Sequence, residues 1–166
     1  MRAHLRLIGL LLVTAPIVAA GQAPKPPSKQ ATKAPSPILT REIDDCKFIL
    51  LPLGTRKYQN RGVSNSEGKF APDKEDAPAG SVFVDIKYTI TCSSEQALKP
   101  YTASMVWLTT NSGVKSLLVG RQWTNGGDLR YEANTVKPLP VGEALVALRF
   151  GARPEISLDG ISIPSK

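Results

Sequence analysis

In the run Ser81–Cys92 the residues Val82, Val84, Ile86, Tyr88, Ile90 and Cys92 alternate with Ser81, Asp85, Lys87, Thr89 and Thr91. Only Phe83 breaks the alternation. A period of two, sustained by β-branched and aromatic side chains, is that of a strand with one face in a core and one in water. Such a strand needs partners on both sides and an apolar layer over its inner face. An all-β chain is therefore expected.

The remaining sequence supplies those partners. Residues 42–51 put Cys46, Phe48 and Leu50 on one phase and Asp45 and Lys47 on the other, and read as the first strand. Pro52 and Gly54 end it. Residues 55–80 are polar without apolar periodicity and read as a long loop, pinned locally by Tyr58 and Phe70. After a short helical turn ending at Pro100, residues 101–110 and 114–119 form a hairpin about Asn111-Ser112-Gly113. Asn125-Gly126-Gly127-Asp128 is another turn, followed by a weaker strand over 129–136. Residues 144–150 place Val146, Leu148 and Phe150 inward, with Ala147 and Arg149 outward. Residues 155–163 change phase at Asp159-Gly160, which calls for a bulge or turn. About seven to eight short strands with turn-separated spacing predict an antiparallel, immunoglobulin-like β-sandwich over residues 40–166.

What precedes the domain points to export. Residues 1–20 join Arg2 and Arg6 to an apolar run and end in Val18-Ala19-Ala20, the pattern of a secretory signal peptide cleaved after Ala20. The apolar run is short of the roughly 20 residues a membrane span needs, and Pro16 interrupts it, so no transmembrane segment is expected after cleavage. Residues 21–39 contain five prolines and three lysines with almost nothing apolar, which predicts a disordered linker. Localisation is accordingly read as secreted or periplasmic. In that compartment Cys46 and Cys92 are expected to pair, the alternative being two buried thiols.

Charge excludes one class of partner. The chain carries a net +7, yet from Arg41 onward there are 16 Lys and Arg against 14 Asp and Glu, leaving +2. The basic excess sits in the signal and the linker, so nucleic-acid binding is not expected.

The closing segment adds a resemblance. The run Gly80-Ser81-Val82-Phe83-Val84-Asp85-Ile86-Lys87-Tyr88-Thr89-Ile90-Thr91 and the later Leu139-Pro140-Val141-Gly142-Glu143 before Leu145-Val146-Ala147-Leu148-Arg149-Phe150 resemble a bacterial family. That family is the exported immunoglobulin-like domains related to a mycobacterial immunoprotective secreted antigen. The resemblance covers roughly residues 41–163 and implies a sandwich with a binding or envelope role, and no catalytic residues.

Candidate chemistry narrows further. The only histidine, His4, lies in the signal peptide, so the mature chain cannot build a Ser-His-Asp or Cys-His site. Zinc and iron–sulfur sites are not expected with the cysteines paired, and no cofactor is assigned. Ser66-x-x-Lys69 and Ser112-x-x-Lys115 match a nucleophile motif but sit at turns without its companion elements. Asp73, Glu75 and Asp76 are read as a solvated loop, with weak calcium binding or a carboxylate-dependent hydrolase as alternatives. Trp107 reads as core, beside Val106 and Leu108. Trp123, with Arg121 and Tyr131, is the best candidate contact surface, and Arg56, Lys57 and Arg61 form a second, basic one. The expected function is a non-enzymatic exported binding or envelope module, its partner an unidentified protein or envelope polymer. An assembly subunit that pairs through a sheet edge is the other reading.

Overall fold

Ser81–Cys92 is the spine of the molecule, a twelve-residue strand with neighbours along both edges. The computed structural model describes residues 35–64, 70–103, 105–152 and 154–165, without the side chains of 61–64 and 70–72. The predicted signal peptide, the linker as far as residue 34, and the Ser66-x-x-Lys69 match lie outside the described residues. Among the described residues twelve strands run in chain order: β1 Leu39–Ile43, β2 Cys46–Leu50, β3 Gly54–Arg56, β4 Tyr58–Ser64, β5 Phe70–Asp76, β6 Ser81–Cys92, β7 Val106–Thr110, β8 Lys115–Asn125, β9 Asp128–Thr135, β10 Leu139–Pro140, β11 Leu145–Phe150 and β12 Glu155–Ser157. A one-turn helix, α1 (Glu95–Leu98), follows β6, its N-terminus capped by Ser94.

All strand pairings among the described residues are antiparallel, and one sheet runs β1-β2-β6-β9-β8-β7-β11-β12, with β3 and β10 pairing the start of β6. This sheet curls on itself. Phe150 of β11 lies four strands along the path from β6, yet its ring stands edge-on to Tyr88 with centroids 6.0 Å apart. The Tyr88 ring also meets Phe48 of β2 at 5.5 Å and stacks on Tyr131 of β9 at 5.1 Å. Burial pushes the Tyr88 phenol up, with Tyr131 adding to the effect. The apolar phase read from the sequence is the core: Phe48, Leu50, Val84, Ile86 and Ile90 are almost completely buried with Leu108, Leu129, Leu148 and Phe150.

Three expectations are corrected. Residues 42–51 are not one strand, because Asp44, with φ +50°, and Asp45 turn the chain between β1 and β2. Residues 55–80 are not a loop: they hold β3 and the hairpin β4–β5, a two-stranded sheet closed at its base by the Ala77 N–H donating to the Lys57 carbonyl. A shift in register between Leu145 and Ala147 lets Ala147 join Leu145 and Leu148 in burial, while Val146 becomes half-exposed.

Cys46 and Cys92 are disulfide-bonded and stand directly opposite each other in the β2–β6 register. The Cys92 N–H points the other way, to the Gly127 carbonyl at 2.8 Å, so the cystine occupies a non-hydrogen-bonded site, where paired side chains come closest. The bridge thus joins neighbouring strands, and the 46-residue separation it spans contains β3 and the β4–β5 hairpin. Where the β6–β9 ladder stops, the buried Thr135 hydroxyl accepts the Val84 N–H at 2.9 Å in place of a carbonyl.

Replacing both cysteines by serine is expected to lower unfolding free energy by roughly 4 kcal/mol, the closure entropy of a loop this long. Urea denaturation measures it. An unchanged midpoint would contradict the role given to the bridge.

Candidate binding face

Beyond Leu118, β8 leaves β7 behind and continues with β9 alone. The hairpin overhangs the second half of the sheet, and every residue from Val119 to Asn125 is exposed. Two glycines make this path possible. At Gly120 a Cβ would collide with the Glu132 carbonyl and Ala133, so only glycine lets the strands approach this closely. At Gly126, φ is +59°, the left-handed conformation that a two-residue hairpin turn requires at its first position.

Register decides which side chains share the outer face. Asp128, Arg130, Glu132 and Asn134 of β9 alternate with inward Leu129, Tyr131 and Ala133. Their partners on β8 are Asn125, Trp123, Arg121 and Val119, and on β6 they are Thr91, Thr89, Lys87 and Asp85. Trp123 therefore stands beside Arg130, and Arg121 beside Glu132, in adjacent rows of one face. The Lys87 ammonium lies 3.3 Å from a Glu132 carboxylate oxygen. Arg56 reaches over from β3 and donates from Nε to Asp85 at 2.9 Å. Trp123, 48% exposed, separates two shallow depressions. One of about 530 Å³ is lined by Asn125, Asp128, Arg130 and Glu132, the other of about 430 Å³ by Asp85, Lys87, Arg121 and Asn134. The surface pairs an aromatic plane with both signs of charge and amide groups. It suits recognition of an extended polar ligand, as the indole offers a stacking face and its neighbours offer donors and acceptors.

Of the first sequence-predicted group, the structure brings Arg121 and Trp123 to this face and sends Tyr131 to the other. Tyr131 is 6% exposed, stacks on Tyr88, and donates its hydroxyl to the Leu118 carbonyl at 3.3 Å. Burial pushes its phenol up as well. It belongs to the core because it pairs with Gln122, one residue out of phase with Trp123. The sequence signal for this was the odd-numbered alternation Leu129, Tyr131, Ala133. Arg130, Glu132 and Lys87 were missed; they emerge only once β6, β9 and β8 are known to lie side by side.

The basic group does not assemble into one patch. Arg56 is ion-paired with Asp85, and Lys57 is exposed at the bend between β3 and β4. Arg61 stands opposite Asp73 in the hairpin register, its side chain outside the described residues. The acidic group is also dispersed, with Glu75 accepting from Gln59 and Asp76 3.1 Å from Lys74. Trp107 is half-buried on the outer phase of β7, between Leu117 and Arg149, and lies outside the core assigned to it from the sequence. Ser112 of the second nucleophile-motif match is held in its turn by Glu143, which accepts its backbone N–H at 2.7 Å.

Trp123→Ala is expected to change stability by less than about 1 kcal/mol, whereas Tyr131→Ala should cost about 3–5 kcal/mol. Thermal denaturation of the two variants checks the opposite facing of these rings, and equal losses would contradict it. No helix among the described residues is long and apolar enough to cross a membrane. No protein-family model matches the chain, and neither a curated protein nor a solved structure matches it.

Proposed function

We propose that the chain is an exported, non-enzymatic binding module of the cell envelope or secreted fraction, built on an immunoglobulin-like β-sandwich. Its contact surface is the outer face of β8–β9. The observation that carries this reading is Trp123, a large indole 48% exposed in mid-strand, set between Arg130 and the row of Arg121 and Glu132. A tryptophan left half-exposed on a strand gains only part of its burial free energy from folding, and tryptophan and arginine are the residues that most often dominate binding energy when a partner covers them. The side chains around it are partly preset, through the Lys87–Glu132 and Arg56–Asp85 ion pairs, which reduces the ordering a ligand must impose.

The disulfide supports export, since such bonds persist in oxidising compartments. Aromatic contact between β6 and β11 supports a two-layered sandwich. The cystine lies within one sheet, unlike the inter-sheet bridge of antibody domains. An envelope polymer fits the face best, because the depressions beside the indole are open, bordered by charged and amide side chains as well as the apolar ring, and admit a chain passing across them.

Co-sedimentation with insoluble peptidoglycan sacculi tests the proposal. Retention of the wild-type protein is expected, with a fall of about tenfold or more for Trp123→Ala, equivalent to about 1.4 kcal/mol. A wild-type protein that stays in the supernatant, or a variant retained equally, would overturn it.

A further inference from the structure

The overhang has an edge as well as a face. Leu117, Val119, Arg121, Trp123 and Asn125 belong to the parity that bonds β9, as the Val136 N–H donating to the Leu117 carbonyl establishes. The even residues therefore turn their N–H and C=O groups the other way. Ser116 and Leu118 meet β7 there, but Gly120, Gln122 and Thr124 have no strand partner among the described residues. An exposed, regular edge of this kind is a template for another strand.

The edges at the two ends of the strand path are poorer templates. β1 is preceded by Pro35 and Pro37, which cannot donate to a ladder, and β12 has three residues and runs on to the Asp159-Gly160 turn. At the β8 edge, by contrast, neither proline nor lysine interrupts the run from Val119 to Asn125.

We infer that this edge pairs with the same edge of a second copy of the chain, antiparallel and centred on Gln122. The sequence of the edge is self-complementary in that register. Gln122 faces Gln122 of the second copy, and Gly120 faces Thr124, so the unpaired groups of both chains form about six backbone hydrogen bonds. Arg121 then falls opposite Trp123 in non-hydrogen-bonded sites, where Cα atoms are about 4.5 Å apart and side chains closest. Each indole receives a guanidinium from the second copy, a cation–π pair made twice by the two-fold axis. Glu132, the cross-strand neighbour of Arg121, offsets the positive charge brought to the axis. On the opposite face, the two Gln122 amides meet, each supplying a donor and an acceptor to the other. The small side chain absent at Gly120 leaves room for Thr124. The paired molecules would present two copies of the outer face on one continuous sheet. This assembly does not depend on what that face binds.

Sedimentation equilibrium of the purified protein is expected to show a concentration-dependent rise from one to two chain masses. Gln122→Pro removes an edge N–H that β9 does not use, so it should hold the protein at one chain mass without shifting thermal denaturation. Mild oxidation fixes the register: Gln122→Cys should cross-link across the axis. Thr124→Cys should not, its two sulfurs being displaced by four residues, about 14 Å. A wild-type protein that remains one chain mass at every concentration, a dimer that survives Gln122→Pro, or equal cross-linking by both cysteine variants would overturn the inference.

Discussion

Tyr88 packs against Phe48, Tyr131 and Phe150, and this cluster ties the two halves of the sheet together. Phe48 and Tyr131 come from the strands on either side of β6, and Phe150 comes from the far half of the same sheet. One ring therefore holds the flat neighbourhood of β6 together and also closes the curl. Its hydroxyl has no hydrogen-bond partner among the described residues, so it is apolar packing that fixes the ring. Around it, burial of apolar strands supplies the stabilisation that backbone ordering opposes.

The candidate binding face is positioned by this core from beneath. Leu129, Tyr131 and Ala133 anchor β9, and because side chains alternate, the same anchoring orients Arg130 and Glu132 outward. The far end of the hairpin is held independently. Cys92, fixed to Cys46 by the disulfide, donates its N–H to Gly127 in the turn, where a Cβ would collide with the Cys92 carbonyl. A rigid base and a tied tip leave Trp123 on a strand that is ordered yet uncovered. That combination is what separates it from Trp107, which lies half-buried between strands on both sides.

The parts of this architecture legible in the sequence are those where burial is one-sided. β6 shows its two faces in its residues, and so does β2, because each second residue must leave water. The β4–β5 hairpin gave no such signal. Tyr58 is largely exposed, and the cross-strand and local contacts there are polar, such as Gln59 with Glu75 and Lys74 over the Tyr58 ring. The bulge near Val146 was hidden for a different reason, since a register shift depends on the partner strand. Trp123 and Arg121 were identified by residue type, but Tyr131 was grouped with them because strand pairing, which places it in the core, is a long-range property. Phe83 marks the same limit. It broke the alternation of β6 and is fully buried, on the stretch where Arg56 of β3 pairs with it and where Val82 and Val84 are buried too.

A disulfide-clipped, aromatic-centred frame thus carries an ordered but uncovered β8–β9 overhang. Residue-resolved amide hydrogen exchange in dilute protein reads this arrangement strand by strand. The slowest exchange is expected at Ile86, Tyr88 and Ile90, intermediate protection at Arg121 and Trp123, and rapid exchange at Gly120, Gln122 and Thr124. Protection at Gly120, Gln122 and Thr124 equal to that of β6, or no alternation between odd and even residues from 119 to 125, would contradict it.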